Sequence, residues 1–561
     1  MFECNILKLG VDNNPGRAAD STCAVNEAIR LCRGKRGRKR IVFPCGEYHF
    51  YEKNAFKKHY FVSNNDPGLK KITFPLIGIN ELEIIGENAS FIFHGRLTAF
   101  AVDSCKDIRL SGFSIDYSRP FVSRGKVLSS DKNSMDVEFP NDEIVFERDG
   151  LIHFFDDDFT NQRFNYNYLE YDLENMEILH DTVNARTNKS GKILERNKVR
   201  FFDLSKPARQ GATIVMKHEP RLNPAIFINE TTNVGIKDIF LYHSNAMGLI
   251  AQNSNNIFLD NYNVTLPENS SRLTSSSDDA LHFVNCGGKI AVKNCILENQ
   301  WDDALNLHGI YSRIKRRGVG AESFLLLESG HYQQLGILRG SIGDKVEFVH
   351  NDTMRSYHEA VIEEIIPMNP QHTSVKFSGG LPEDLQAGDC IANLSRTPQL
   401  EVENCRISSN IPRGILCTTP RKINIAGNYF HTPGAAIYIS GDCNFWFESG
   451  AVNDVKIVNN EFDNCNYMPG TVGRAVIDIF PEIPHYAEKN YYHRNISIEN
   501  NRFNTFESAL VNADSVENLN FSDNMIVSGD KYPKYHNQLE LVECKHCRNV
   551  TRKHNLKTGK K

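Results

Sequence analysis

The stretches Asn453–Asn464 (NDVKIVNNEFDN), Arg494–Thr505 (RNISIENNRFNT) and Glu517–Ser528 (ENLNFSDNMIVS) are three versions of one phrase. Each runs from a polar opening through an apolar alternation of period two, then a corner pair, then a second apolar pair. Alternation of period two marks strands, and Asn or Gly supplies tight corners between them.

Working outward, the phrase recurs as NELEIIGENASFIF from Asn80, KDIRLSGFSIDY from Lys106, NVGIKDIFLY from Asn233 and NNIFLDNYNV from Asn255. Later copies are GKIAVKNCILEN from Gly288, QLEVENCRISSN from Gln399 and RKINIAGNYFHT from Arg421. The step is 23 residues between Val234 and Ile257, Leu400 and Ile423, and Ile496 and Leu519. Strands this short cannot bury an apolar face alone; stacked into a column they can. The expected fold is all-β, a right-handed parallel β-helix, with Asn ladders along its corners.

DSTCAVNEAIRLCRG, with N-cap candidates at Asp20 to Thr22, predicts an amphipathic helix that caps the first coil, followed by a strand-turn-strand in RIVFPCGEYHF. The basic run Lys35–Arg40 is expected as a solvated loop, since no aromatic residue interleaves it. Residues 119–222 and 311–397 lack the corner pairs and alternate between glycine-rich turns, so two small antiparallel β subdomains are expected there. The chain thus divides into a cap and first coils (1–118), an insertion (119–222), coils bearing the acidic motifs (223–310), a second insertion (311–397), and C-terminal coils with a tail (398–561).

With 64 Lys and Arg against 69 Asp and Glu, the net charge is −5, and no global basic field recruits nucleic acid. No run of eighteen apolar residues offers a membrane span. MFECNILKLG lacks a signal-peptide core, which predicts a cytoplasmic location, or a periplasmic or secreted one if a leader has been trimmed. The fourteen cysteines are read as scattered and isolated, without Cys-x-x-Cys or zinc-type spacing, and as reduced, mostly buried small hydrophobes. Flat sides and open ends of such a column make a homo-oligomer an expectation.

Chemistry concentrates at two acidic pairs. Asp278-Asp279 in SSSDDALHF and Asp302-Asp303 in QWDDALNLHG lie 24 residues apart in one frame. Stacked coils would bring four carboxyls to one surface patch, with His282, Asn306 and His308 facing the same way and Leu281, Phe283, Leu305 and Leu307 turned inward. One Asp at a turn is usually a backbone cap; two pairs in register, each followed by an outward His, predict a functional cluster. Crowding raises one carboxyl pKa, which supplies the protonated and ionised partners of glycoside hydrolysis. Expected substrate-binding residues are Asp278, His282, Asn306, His308, Arg413 (in NIPRGILC) and the pair Trp446 and Glu448 (in FWFESG). No metal and no other cofactor is expected.

The phrases FVSNNDPGLKKITFPLIGINELEIIG, FIFHGR, GFSIDYSRP, DDALHFVNCGGKIAVKNC, QWDDALNLHG and FWFESGAVNDVKIVNNEF, in this order, resemble glycoside hydrolase family 110 over nearly the whole chain. The resemblance implies a β-helix with barrel-like insertions and an inverting, exo-acting, metal-free α-1,3-galactosidase. Its expected partner is an oligosaccharide or glycoconjugate with terminal α-galactose, of blood-group B or linear Galα1-3Gal type. It also implies Asp279, Asp302 and Asp303 as catalytic carboxylates, with Asp278 outside the family pattern. Likeness to polygalacturonases assigns Asp302 as general acid and Asp279 with Asp303 to the attacking water. Trp301 departs from the smaller or polar residue expected there, which implies an altered neighbouring subsite. The alternatives are a polygalacturonase-like hydrolase, a Ca²⁺-dependent polysaccharide lyase and a non-catalytic glycan-binding β-helix. The first lacks a GHG motif, and its RIK (Arg313-Ile314-Lys315) falls at the start of an insertion.

Overall fold

The computed structural model describes residues 1–155, 161–180, 182, 185–186, 190–219, 221–318, 324–337, 339–468, 473–535 and 540–559. The repeat phrases form one long parallel sheet, stacked in chain order from Lys39–Phe43 through Asn80–His94, Lys106–Tyr117, Thr232–Leu241 and Asn255–Val264 to Arg548–Lys553. A second parallel face runs beside it, from Gly68–Ile77 and Thr98–Asp103 through Leu249–Gln252, Leu281–Val284, Ile415–Cys417 and Ile477–Ile479 to Val542–Lys545. Ile236 pairs with Leu259 and Leu259 with Val292, so apolar residues of successive coils lie in register. The chain is a parallel β-helix with antiparallel β insertions.

Corner residues explain the register. Asn294, Asn404, Asn459 and Asn500 all take left-handed backbone, with φ of 55, 55, 55 and 56°, which Asn tolerates better than other residues with a side chain. The residue after several of these corners turns its side chain inward and builds a ladder. Asn428, Asn460, Asn501 and Asn524 each donate Nδ2 to the Oδ1 of the next Asn at 3.0–3.1 Å, and Asn555 ends the ladder as acceptor. Buried amides satisfied in this way contribute about 1 kcal/mol each, and leaving one unpaired costs more. Inside the column Phe430, Phe462 and Phe503 stack at 5.1 and 4.8 Å between centroids, one ring per coil.

The helix Thr22–Arg33 covers the first coil with Val25, Ala28, Ile29 and Cys32, and Asp20 Oδ1 accepts the Thr22 N–H at 2.9 Å. The basic run differs from expectation: Lys39 and Arg40 belong to the strand Lys39–Phe43. Lys39 is buried and donates to the Gly37 carbonyl, while Arg40 pairs with Glu83 at 2.9 Å. The cysteines are free and mostly buried, but they are not all isolated: Cys544 and Cys547 form a Cys-x-x-Cys pair in the last coil.

Both departures from the rhythm are antiparallel. Val122–Ser130 pairs with Thr213–Glu219 and with Ser134–Glu138 in the first insertion. The second is a closed six-strand barrel joining Leu305–Arg317, Phe324–Ser329, His372–Ser378, Ser356–Pro367, Lys345–Val349 and Cys390–Asn393. Its first strand is shared. Leu305–Leu307 still pairs within the column, whereas Tyr311–Arg313 already pairs with Cys390–Ala392, so no linker separates barrel from coil. No helix among the described residues is long and apolar enough to cross a membrane.

Candidate active site

Leu281–Val284 and the start of Leu305–Arg317 pair in parallel with Leu281 opposite Leu305, His282 opposite Asn306 and Val284 opposite His308. Strand alternation sends Leu281, Phe283, Leu305 and Leu307 into the core and turns His282, Asn306 and His308 away from it. The acidic pairs open these strands at equivalent places, and the Asp303 N–H donates to Asp279 Oδ1 at 3.3 Å across the coil step. Carboxylate oxygens of Asp279, Asp302 and Asp303 lie within 4.8 Å of one another.

The expected surface patch is not at the surface. Asp278, Asp279, Asp303, His282 and His308 are all buried, and only Asp302 keeps a carboxyl partly exposed, at 19%. Residues at the end of the first insertion roof this part of the column and bring two cations that sequence reasoning missed. Lys217 Nζ donates to Asp278 Oδ1, and Arg221 Nε reaches the same oxygen at 2.8 Å. Arg221 Nη2 then holds Asp302 Oδ2 at 3.0 Å. From the next coil Arg413 grips Asp303 through two parallel bonds of 2.7 and 2.8 Å. Arg413 is therefore committed to a carboxylate rather than free for sugar hydroxyls, and Asp278 serves as counter-ion to Lys217 and Arg221.

His282 Nδ1 is 2.6 Å from Asp279 Oδ2, and His308 Nδ1 is 2.7 Å from the Gly309 carbonyl. Burial, followed by the charges of Asp302 and Asp303, pushes the Asp279 carboxyl well above the ordinary range. Burial likewise pushes Asp303 up to about 7 against the pull of Arg413. Burial and the neighbouring His308 lower His282, which favours its neutral form. Among the described residues the buried Asn306 Oδ1 has no hydrogen-bond partner, and strand register turns the side chain to the same face as His282. Glu448, whose strand Glu448–Ser449 pairs with Gly309–Ile310, lies 3.5 Å from His308 Nε2. Trp446 is 37% exposed two residues earlier.

Three clustered carboxylates invite a cation, but Ca²⁺ needs six to eight oxygen donors. Here the outer oxygens already face Arg221 and Arg413, so the donor set suits a proton-sharing cluster better than a divalent ion.

The GLAA-B β-barrel domain II family matches residues 325–391, which lie within the barrel. The α-1,3-galactosidase A of Shewanella woodyi is 32% identical over 93% of this chain and 85% of its own length. The α-1,3-galactosidase B of Bacteroides thetaiotaomicron is 31% identical over 95% and 88%. The chain belongs to the α-1,3-galactosidase family, glycoside hydrolase family 110. A family 28 exopolygalacturonase from Yersinia enterocolitica superposes with a TM-score of 0.38 at 11% identity, over 98% of this chain and 78% of that one.

One expectation drawn from the family pattern needs correction. Trp301 does not shape a subsite. It is 6% exposed and packs with Leu169, Tyr171 and Val215 of the first insertion and with Ile411, Tyr467 and Phe506 of the column. Its Nε1 donates to Tyr171 Oη at 2.8 Å. A large ring at this position joins insertion to column beside the acidic pair.

Proposed function

We propose that the protein is an exo-acting α-galactosidase that removes terminal, non-reducing α-1,3-linked galactose from oligosaccharides or glycoconjugates, with inversion. The observation that carries this reading is the in-register stacking of Asp279 on Asp303 beside the partly exposed Asp302, within a family whose relatives are named α-1,3-galactosidases. Among the described residues, Lys217, Arg221 and Arg413 are the Lys and Arg side chains paired within the group Asp278, Asp279, Asp302, Asp303 and Glu448, so the carboxyls outnumber these cations and burial disfavours ionising all of them.

Asp302 reaches the opening and is assigned to protonate the departing glycosidic oxygen. Asp303, whose ionised form Arg413 favours against burial, takes a proton from the attacking water, and Asp279 accepts a hydrogen bond from that water. Attack then forms the new C–O bond as the old one breaks, with no covalent sugar–enzyme species. Asn306 and Glu448 are assigned to galactose hydroxyls. The test is a panel of p-nitrophenyl α-galactoside, Galα1-3Gal, the blood-group B trisaccharide and an α-GalNAc analogue, with NMR of the first anomer released. Turnover of the galactosides with β-galactose appearing first is expected; absence of turnover on all of them defeats the reading.

A further inference from the structure

Four aromatic rings gather on the rim of the cleft from two distant segments. His331 and Tyr332 come from the barrel, Phe445 and Trp446 from the loop before Glu448. The His331 ring lies 4.7 Å from Tyr332, 4.6 Å from Trp446 and 6.1 Å from Phe445, and Phe445 lies 5.1 Å from Trp446. Tyr332 and Phe445, each packed against a neighbouring ring of the group, are nonetheless 59% and 60% exposed.

The group is built, not incidental. The Phe445 and Trp446 N–H groups donate to the Asp442 carboxylate, and Gln334 Nε2 holds the Trp446 carbonyl at 2.7 Å. Asn64 N–H donates to the Gln333 carbonyl at 2.9 Å, tying the barrel turn to the N-terminal loop. Gly336 lets that turn close, because a Cβ there would meet the Phe61 ring at 2.3 Å. Phe447 is held at φ 58°, a left-handed conformation that is rare for a bulky residue and clusters at functional sites. The kink separates Trp446, on the rim, from Glu448, which points toward His308. His331 also lies within electrostatic reach of Glu448, Arg221 and Asp442, so the rings border the carboxylate cluster.

We propose that His331, Tyr332, Phe445 and Trp446 form the acceptor shelf: a stacking surface for the sugar ring that follows the cleaved galactose. The inference rests on the galactosidase reading and adds what the barrel is for. Pyranose rings present a face of C–H bonds, and an exposed aromatic plane binds that face while leaving the hydroxyls in water. The class of ligand is thus a neutral hexose or hexosamine on the reducing side of galactose. Two independently anchored loops set the shelf's angle.

The test compares α-galactosyl fluoride, which has no acceptor ring, with Galα1-3Gal and the blood-group B trisaccharide, using Tyr332→Ala, Phe445→Ala and the double variant. The ratio of kcat/KM on the oligosaccharides to that on the fluoride is expected to fall about tenfold in the double variant, chiefly through KM. An unaltered ratio overturns the shelf. Failure of the wild type to hydrolyse both the fluoride and the glycosides instead overturns the galactosidase reading, so the two failures are distinct. Circular dichroism and melting of each variant confirm that the barrel is intact.

Discussion

The Nε2 atoms of His282 and His308 lie 3.1 Å apart, so one ring must donate and the other accept. With both rings neutral, the direction follows from the far end. The Gly309 carbonyl accepts only, so His308 Nδ1 carries hydrogen and, in the neutral ring, Nε2 accepts. His282 Nε2 then donates and its Nδ1 accepts, which leaves Asp279 to supply the proton of its 2.6 Å contact. In that arrangement two rings and a carbonyl favour a proton on a carboxyl whose pKa burial, and then crowding, already raise.

A protonated carboxyl should therefore be visible at neutral pH. Infrared difference spectra are expected to show its C=O band in the wild type and to lose it in Asp279→Asn. The same linkage acts on stability. A carboxyl whose pKa is raised on folding stabilises the fold fully below the unfolded value near 4, and that contribution is lost as pH rises through the raised folded value. Asp279→Asn should accordingly melt higher than the wild type at pH 8, by a margin that shrinks toward pH 5. A pH-independent margin would contradict the buried proton.

Asp302→Asn and Asp303→Asn should each lower kcat by about 10³-fold, since each removes proton transfer or water activation. Asp279→Asn should cost a comparable factor. Asp278→Asn acts differently: it strips Lys217 and Arg221 of a buried counter-ion, and breaking such a pair costs about 3–5 kcal/mol. Its signature is a lowered Tm, read by calorimetry beside the rates. Near wild-type turnover in Asp303→Asn would end the catalytic assignment.

Arg413 lowers the Asp303 pKa against burial, leaving it at about 7. Removing the guanidinium in Arg413→Met should raise that value, so less Asp303 is ionised at neutral pH. The acidic limb of the kcat/KM profile is expected to move upward by about one unit or more. A limb that stays in place would mean that Asp303 is not the base.

If one water attacks as the bond breaks, β-galactose is the first product and added alcohols are not glycosylated. EDTA should leave the rate unaltered. Initial α-galactose, transfer to methanol, or loss of rate on chelation would each assign another mechanism.

Trp301→Ala should destabilise the protein by about 3–5 kcal/mol, as loss of a large buried ring does. It should also loosen the first insertion preferentially, since Leu169, Tyr171 and Val215 lose their neighbour on the column. Limited proteolysis within 190–219 that outpaces cleavage of the column would show it.

The column was legible because its signal is local and repeated. The 23-residue step brings Leu400 opposite Ile423 and Ile496 opposite Leu519, and the inward and outward faces around His282 and His308 follow from alternation alone. What the insertions do was not legible. Lys217 and Arg221 meet Asp278 and Asp302 across 61 and 81 residues of chain, with no periodicity linking them. Burial of the carboxylates, the commitment of Arg413 to Asp303 and the packing of Trp301 all depend on which surface another segment happens to cover. His331 and Tyr332 carry no sign of the cluster in their own neighbourhood, because Phe445 and Trp446 arrive more than a hundred positions later. The pair Cys544 and Cys547, by contrast, stood in plain spacing.

The strand Leu305–Arg317 leaves the catalytic floor and enters the barrel without a break. A hinge needs a residue free to change φ and ψ, and here the chain is hydrogen-bonded on both sides of the crossing. Barrel and floor should therefore exchange their amide hydrogens as one cooperative block, with matched protection from Leu305 to Ser312. Recognition of the outgoing sugar then requires no closing motion. The angle between the rim and the carboxylates is set when the chain folds, and the ordering entropy is spent before any glycan arrives.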